Sequence, residues 1–211
     1  MSGMKNLFVA LLGTVALYSC AGNPEGKKAE TKDAVATTAP TTGTELKVDT
    51  TASKVAWLGK KVTGSHHGEI RISDGSLFIQ DGKLTGGKFT IDINSLKNSD
   101  ITDAEYKTKL ETHLKSPDFF DAAAHPQATF EITGVKDLGN NKANITGNLT
   151  LRGVSKNISF DADILENTGS TLKAKADFNI NRHDWGITYP GMKDDAISNE
   201  INLKVDLVAK S

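Results

Sequence analysis

Few side chains in this chain are suited to chemistry, and their spacing limits what they can do. The stretch "HLKSPDFFDAAAHP", His113 to Pro126, sets two adjacent phenylalanines among two aspartates, two histidines and two prolines. That mixture makes neither a good strand nor a comfortable surface loop. Phe119 and Phe120 must therefore be covered, either by the protein's own core or by something the protein holds. His66 and His67 are neighbours, so in a strand their rings point to opposite faces and only one reaches an interior. Joint ligation of zinc by such a pair is disfavoured. A zinc site needs three or four converging ligands, the chain has no HExxH-like spacing, and no metal is expected. Arg182 and Asp184 have two readings: they clamp a phosphate, or they pair with each other on one side of a continuing strand. His113 has the spacing of an apolar helical face, where it either bonds within a core or meets a polar head. Ser65 and Ser116 are candidate nucleophiles for hydrolysis, but neither lies in a nucleophile elbow.

These residues need elements to position them, and most of the chain alternates with period two. Phe89-Ile91-Ile93, Ile145-Gly147-Leu149-Leu151, Ile158-Phe160-Ala162-Ile164, Leu172-Ala174-Ala176-Phe178-Ile180 and Ile201-Leu203-Val205-Leu207 each face one way between polar neighbours. They read as half-buried strands. Asp74-Gly75, Asp81-Gly82, Gly86-Gly87, Gly139-Asn140-Asn141 and Asn167-Thr168-Gly169 separate them at short intervals. Short strands joined by tight turns predict an all-β antiparallel sandwich or barrel. One helix interrupts it. Thr102-Asp103-Ala104-Glu105 has capping-box spacing, Tyr106, Leu110, His113 and Leu114 recur on one helical face, and Pro117 ends the helix. The inward positions Gly147, Ala162, Ala174 and Ala176 are small, which fits a hollow interior or a barrel that tapers.

The ends of the 211-residue chain differ from its middle. Lys5 precedes an apolar run from Leu7 to Leu17 that is too short to span a bilayer, and residues 1–19 read as a signal peptide. Leu17-Tyr18-Ser19-Cys20 resembles the bacterial lipobox, with Tyr18 bulkier than the usual residue, so the single cysteine, Cys20, is the expected lipidation site. Ala21 and Gly22 lack the aspartate that marks retention in the inner membrane. An exported lipoprotein on the outer membrane, facing the periplasm, is therefore expected. Residues 20–45 are rich in Ala, Thr, Pro, Lys and Glu and predict a flexible linker reaching about 25–30 Å. Residues 46–211 are long enough to form a single domain. A net charge of −1 with no basic stripe excludes nucleic acid as a partner.

"HLKSPDFFDAAAHPQATFEI", "GNLTLRGVSKNISF" and "NINRHDWGI" occur in this order, with "SKVAWLGKKVTGSHHGEI" before them and "ISNEINLKVDLVAK" after. Together they resemble the YceI-like family of lipocalin-like polyisoprenoid-binding proteins. The matching positions are His113, Leu114, Pro117, Asp118, Phe119, Phe120 and Asp121; Gly147, Leu149, Gly153 and Val154; and Asn181, Arg182 and Gly186. The chain departs from the family at Glu111-Thr112 and at His183-Asp184-Trp185, which bears on the head group rather than the fold. The resemblance implies a lipocalin-like barrel of about eight antiparallel strands that holds a polyisoprenoid or quinone-like lipid and needs no cofactor or catalytic residue.

The lipid tail is then expected against Trp57, Phe89, Leu110, Leu114, Phe119, Phe120, Phe130, Ala174, Ala176, Phe178 and Trp185, and the head group against His66, His113 and Arg182. Burying the tail gains about 0.8 kcal/mol per CH₂ against water, but a bilayer is equally apolar, so selectivity must reside in shape and in the head group. Two other classes stay open: a structural or adhesion sandwich without cargo, and a hydrolase using Ser65 or Ser116.

Overall fold

The structure, a computed structural model, describes residues 22–37 and 43–211. Its elements are β1 (Lys27–Lys28), β2 (Glu30–Asp33), β3 (Thr44–Val48), β4 (Lys54–Lys61), β5 (Gly64–Gln80), β6 (Lys83–Asn98), α1 (Ala104–Lys115), β7 (Gln127–Gly139), β8 (Lys142–Leu151), β9 (Val154–Asn167), β10 (Thr171–Asn181), a 3-10 turn (Arg182–Trp185), β11 (Gly191–Met192) and β12 (Asp195–Lys210). Tight hairpins drive the reversals. Asp81-Gly82, Asn140-Asn141 and Arg152-Gly153 all hold positive φ, which matches the twist of a two-residue antiparallel hairpin.

Neighbouring strands from β5 to β10 pair antiparallel, β12 follows β10, and the pairing of β9 with β10 closes an eight-stranded barrel. β3 and β4 together make one stave: both lie between β12 and β5, separated by a turn that Asp49 caps. Inward positions read from the alternation lie in the core or against it, from Phe89 and Ile93 to Leu207.

β9 and β10 pair only from Ala176↔Ala162 to Leu172↔Asn167. Below that point they part, and the N-terminal segment lies between them. β1 runs parallel to β10, with Lys27 opposite Phe178, while β2 runs antiparallel to β9, with Glu30 opposite Ser159. Ala29, between the two, is 4% exposed and donates its N–H to the Asn179 carbonyl. Within the expected flexible linker, Lys27–Lys28 and Glu30–Asp33 are strand. Two open edges supply unpaired backbone groups that any extended segment can satisfy, and backbone pairing leaves no mark on a polar composition. Cys20, the apolar run before it and residues 38–42 lie outside the described residues.

The helix begins one residue later than the capping box suggests: the Asp103 carboxylate accepts the Tyr106 N–H at 3.0 Å. It ends at Ser116, before Pro117. Tyr106 is 67% exposed and turns outward beneath Lys109, a correction to the expected apolar face. Leu110 and Leu114 do turn toward the barrel interior. No described helix is long and apolar enough to cross a membrane.

Candidate functional site

The barrel is hollow. Two cavities of about 140 and 190 Å³ occupy it, and Val55, Ile91, Leu149 and Leu203 belong to both walls, so the chambers abut at a common waist. Each is comparable to an engineered apolar cavity of roughly 150 Å³ that stays dry and takes benzene.

The upper chamber has an entirely apolar surface. Phe89, Phe130, Ala174, Ala176 and Phe178 line it, as the sequence places them. Their rings form a belt: Phe89 to Phe130 at 6.4 Å, Phe130 to Phe160 at 5.7 Å, and Phe160 stacked on Phe178 at 4.0 Å. Phe130 on β7 reaches Phe160 on β9 across Gly147 of β8. A Cβ on that glycine would stand 2.4 Å from the Phe130 ring. Gly147 therefore does not hollow the barrel, which decides at this position between the two readings of the inward small residues; its missing side chain is replaced by the ring. Ala162, Ala174 and Ala176 do border open space. Phe160 was in the inward alternation but not among the expected lining residues, and its period-two position was the signal for it.

The lower chamber is bounded by Trp57, Leu110, Leu114, Phe119 and Phe120 on its apolar side. The helix delivers the two phenylalanines through a tight return, in which the Phe120 N–H reaches the Leu114 carbonyl and Asp121 takes a positive φ of 48°. Trp57 Nε1 is buried with no hydrogen-bond acceptor among the described residues.

The polar side holds His66, Arg182, Ser198 and Glu200. Arg182 is 2% exposed. Its Nε donates to the Ser198 carbonyl at 2.9 Å and its NH1 to the Ile187 carbonyl at 2.6 Å. Burial lowers its pKa, and no carboxylate offsets that. Asp184 is not its partner, because β10 stops at Asn181, whose side chain caps the 3-10 turn. His66 Nδ1 lies 2.8 Å from Asp100, while the His67 ring is largely exposed with its Nδ1 3.8 Å from Asp100, and the His67 backbone N–H donates to the same carboxylate at 2.8 Å. Burial alone would raise the Asp100 pKa. Hydrogen bonds from the His67 N–H, His66 and Asn98 outweigh it and hold the carboxyl down at about 2.

Two expected site residues lie elsewhere. His113 is outside the cavity, 3.2 Å from Asp118 and edge-on to Phe119 and Tyr189; the helix turns Leu110 and Leu114 inward instead. Trp185 is fully buried behind the wall, where its Nε1 donates to the Leu149 carbonyl. The 3-10 turn carries it out of strand register. Ser198 and Glu200 of the lower chamber lie in the stretch "ISNEINLKVDLVAK", but nothing in its spacing marked them as site residues. Ser116 spends its hydroxyl on the His113 carbonyl and Asp118 N–H rather than on a ring nitrogen. Among the described residues no three metal-capable side chains converge.

Comparison with known proteins agrees with this architecture. A UPF0312 protein of Pseudomonas putida strain W619 is 30% identical over 143 residues, which cover 65% of this chain and 72% of that protein. The crystal structure of Burkholderia cenocepacia BcnA has a TM-score of 0.59 at 24% identity, covering 77% of this chain and 99% of that one. A structure described as a polyisoprenoid binding domain from Saccharophagus degradans, implicated in plant cell wall breakdown, also has a TM-score of 0.59, at 17% identity, covering 79% of this chain and 98% of that one. The YceI-like domain model matches residues 46–209, nearly the whole barrel, and the chain belongs to that family.

Proposed function

We propose that this protein binds a long isoprenoid lipid, with the tail in the two chambers and a polar or anionic head group in the lower one, and stores or carries it without catalysis. The observation that carries this reading is the pair of abutting apolar cavities with a buried, carboxylate-free Arg182 at one end. A buried cation without a counter-ion is costly, and an anionic or strongly polarised head group would offset that cost. His66, with its ring held by Asp100, and Trp57 Nε1 are further polar atoms in the same wall. The structural similarity to a domain described as polyisoprenoid-binding supports the same class of cargo.

An adhesion sandwich would be expected to fill its core to crystal-like density, which this interior does not. Residues 1–19 are taken as an export signal and Cys20 as the lipidated anchor, holding the barrel at the periplasmic face of the outer membrane. Two acyl chains suffice for stable attachment. Mass spectrometry of lipids leaving the gently purified protein tests the cargo. Stoichiometric prenyl lipid is expected; a protein that arrives empty, or carrying unselected acyl lipids in proportion to the host membrane, defeats the reading.

A further inference from the structure

The first residues of β12 gather three features that the sequence keeps far apart. The Val62 N–H, in the β4–β5 hairpin, donates to the Ala196 carbonyl at 3.0 Å. Met192, on β11, pairs with Asp195. Asn23 Oδ1 accepts the Ser198 hydroxyl at 2.8 Å, and the next residue's carbonyl, that of Pro24, accepts from Asn179. Asp195 to Ser198 span only about 10 Å of strand. Ile197, Ser198, Lys60 and Lys61 also line the lower chamber, so all three features sit at its mouth. Val62 is 40% exposed and Met192 is 73% exposed, more than any other large hydrophobic side chain among the described residues.

The chain therefore leaves the fold at this mouth. From Asn23, residue 20 is three positions away and can lie at most about 10 Å distant; Leu17, the end of the apolar run, is at most about 20 Å distant. Leu138 and Leu165, near the opposite end, are exposed as well, so exposure alone does not choose between the ends. The length of the leash does. β12 runs the height of the barrel, roughly 50 Å of strand for its sixteen residues, and three residues cannot cover that span.

We propose that the mouth of the lower chamber docks on a lipid bilayer, with Met192 and Val62 as the tips that enter it. This rests on the reading that the N-terminal segment is membrane-attached, and it is independent of the cargo. Lys61 is offset by Asp195 at 2.6 Å and Lys193 is followed by Asp194, which leaves Lys60 as the one lysine of this rim without a counter-charge beside it among the described residues, so the contact is mainly apolar and only weakly dependent on salt. A lipid taken from the bilayer would then enter the lower chamber without crossing water.

Hydrogen exchange on the protein expressed from the full chain, reconstituted in vesicles of phosphatidylethanolamine and phosphatidylglycerol and collected by flotation, tests this. Exchange in peptides covering 60–65 and 190–195 is expected to slow severalfold relative to the detergent-released protein, while peptides covering 80–83 and 138–143 stay unchanged. Val62→Asp with Met192→Asp should abolish that slowing while the protein still floats. Protection at the opposite end, or at neither end, overturns the inference while leaving the attachment intact. Protection of the mouth that disappears when protein is diluted in excess lipid overturns it in favour of a second copy of the chain. Protein that does not float overturns the attachment and this inference together, whether or not it carries lipid.

Discussion

Arg182 shows how one buried side chain joins fold and function. Its guanidinium ties the Ser198 and Ile187 carbonyls together, so Arg182→Met leaves two acceptors unpaired. Each is expected to cost about 1–3 kcal/mol, with a matching fall in denaturation midpoint, and an anionic head group should lose retention beyond what a prenyl alcohol loses. Comparing the two ligands on the folded fraction separates the roles. Asp100 gives a pH signature. Its folded pKa of about 2 lies below the ordinary 3.8, so its contribution is present above about pH 4 and is lost as pH falls toward 2, by about 2 kcal/mol or less. Asp100→Asn should flatten that acid limb in chemical denaturation at stepped pH. At this scale the sequence was legible where alternation spoke: Phe89 and Phe178 line the upper chamber as placed. It misled at His113 and Trp185, where a helix face and a 3-10 turn decided the direction.

At the scale of elements, the strap formed by β1 and β2 is weakly held. Its ion pairs to the barrel, Lys27 with Asp161, Lys28 with Glu200 and Asp33 with Lys156, each have at least one exposed partner and are worth little, yet it covers the seam where β9 and β10 part. Behind that seam the stacked Phe160 and Phe178 face the upper chamber. Gly26 takes a φ of +140°, and a Cβ there would lie 2.5 Å from Asn179 Oδ1. Gly26→Val should therefore lift the strap while leaving the barrel strands paired. Faster proteolysis within 22–37 is expected, with faster lipid release and only a small change in melting temperature; unchanged release would show that the seam is not a route. The barrel strands were legible because one buried face forces alternation. The strap was not, because Lys, Glu, Thr and Asp pair through backbone alone, and only Ala29 enters the core.

For the whole molecule, hollowness is the property with consequences. Small inward residues left cavity and taper open in the sequence, since period two reports which face a residue takes and not how much space its neighbours leave. Packing resolves it residue by residue: the void at Gly147 is filled by Phe130, while those at Ala174 and Ala176 are not filled. A hollow barrel forgoes dispersion contacts across the gap, and an occupant restores them. A ligand that binds only the folded state stabilises it by about 2.7 kcal/mol at a hundred times its Kd. Ala176→Leu places new methyl groups in the upper chamber, where they compete with the tail. In a solid core that substitution would overpack and cost about 1–3 kcal/mol; here the empty variant should melt at or above the empty wild type. Adding prenyl lipid should raise the wild-type melting temperature and leave the variant's nearly unmoved. Were the empty variant to melt well below the empty wild type, with both gaining equally from lipid, the upper chamber would not be where the tail resides.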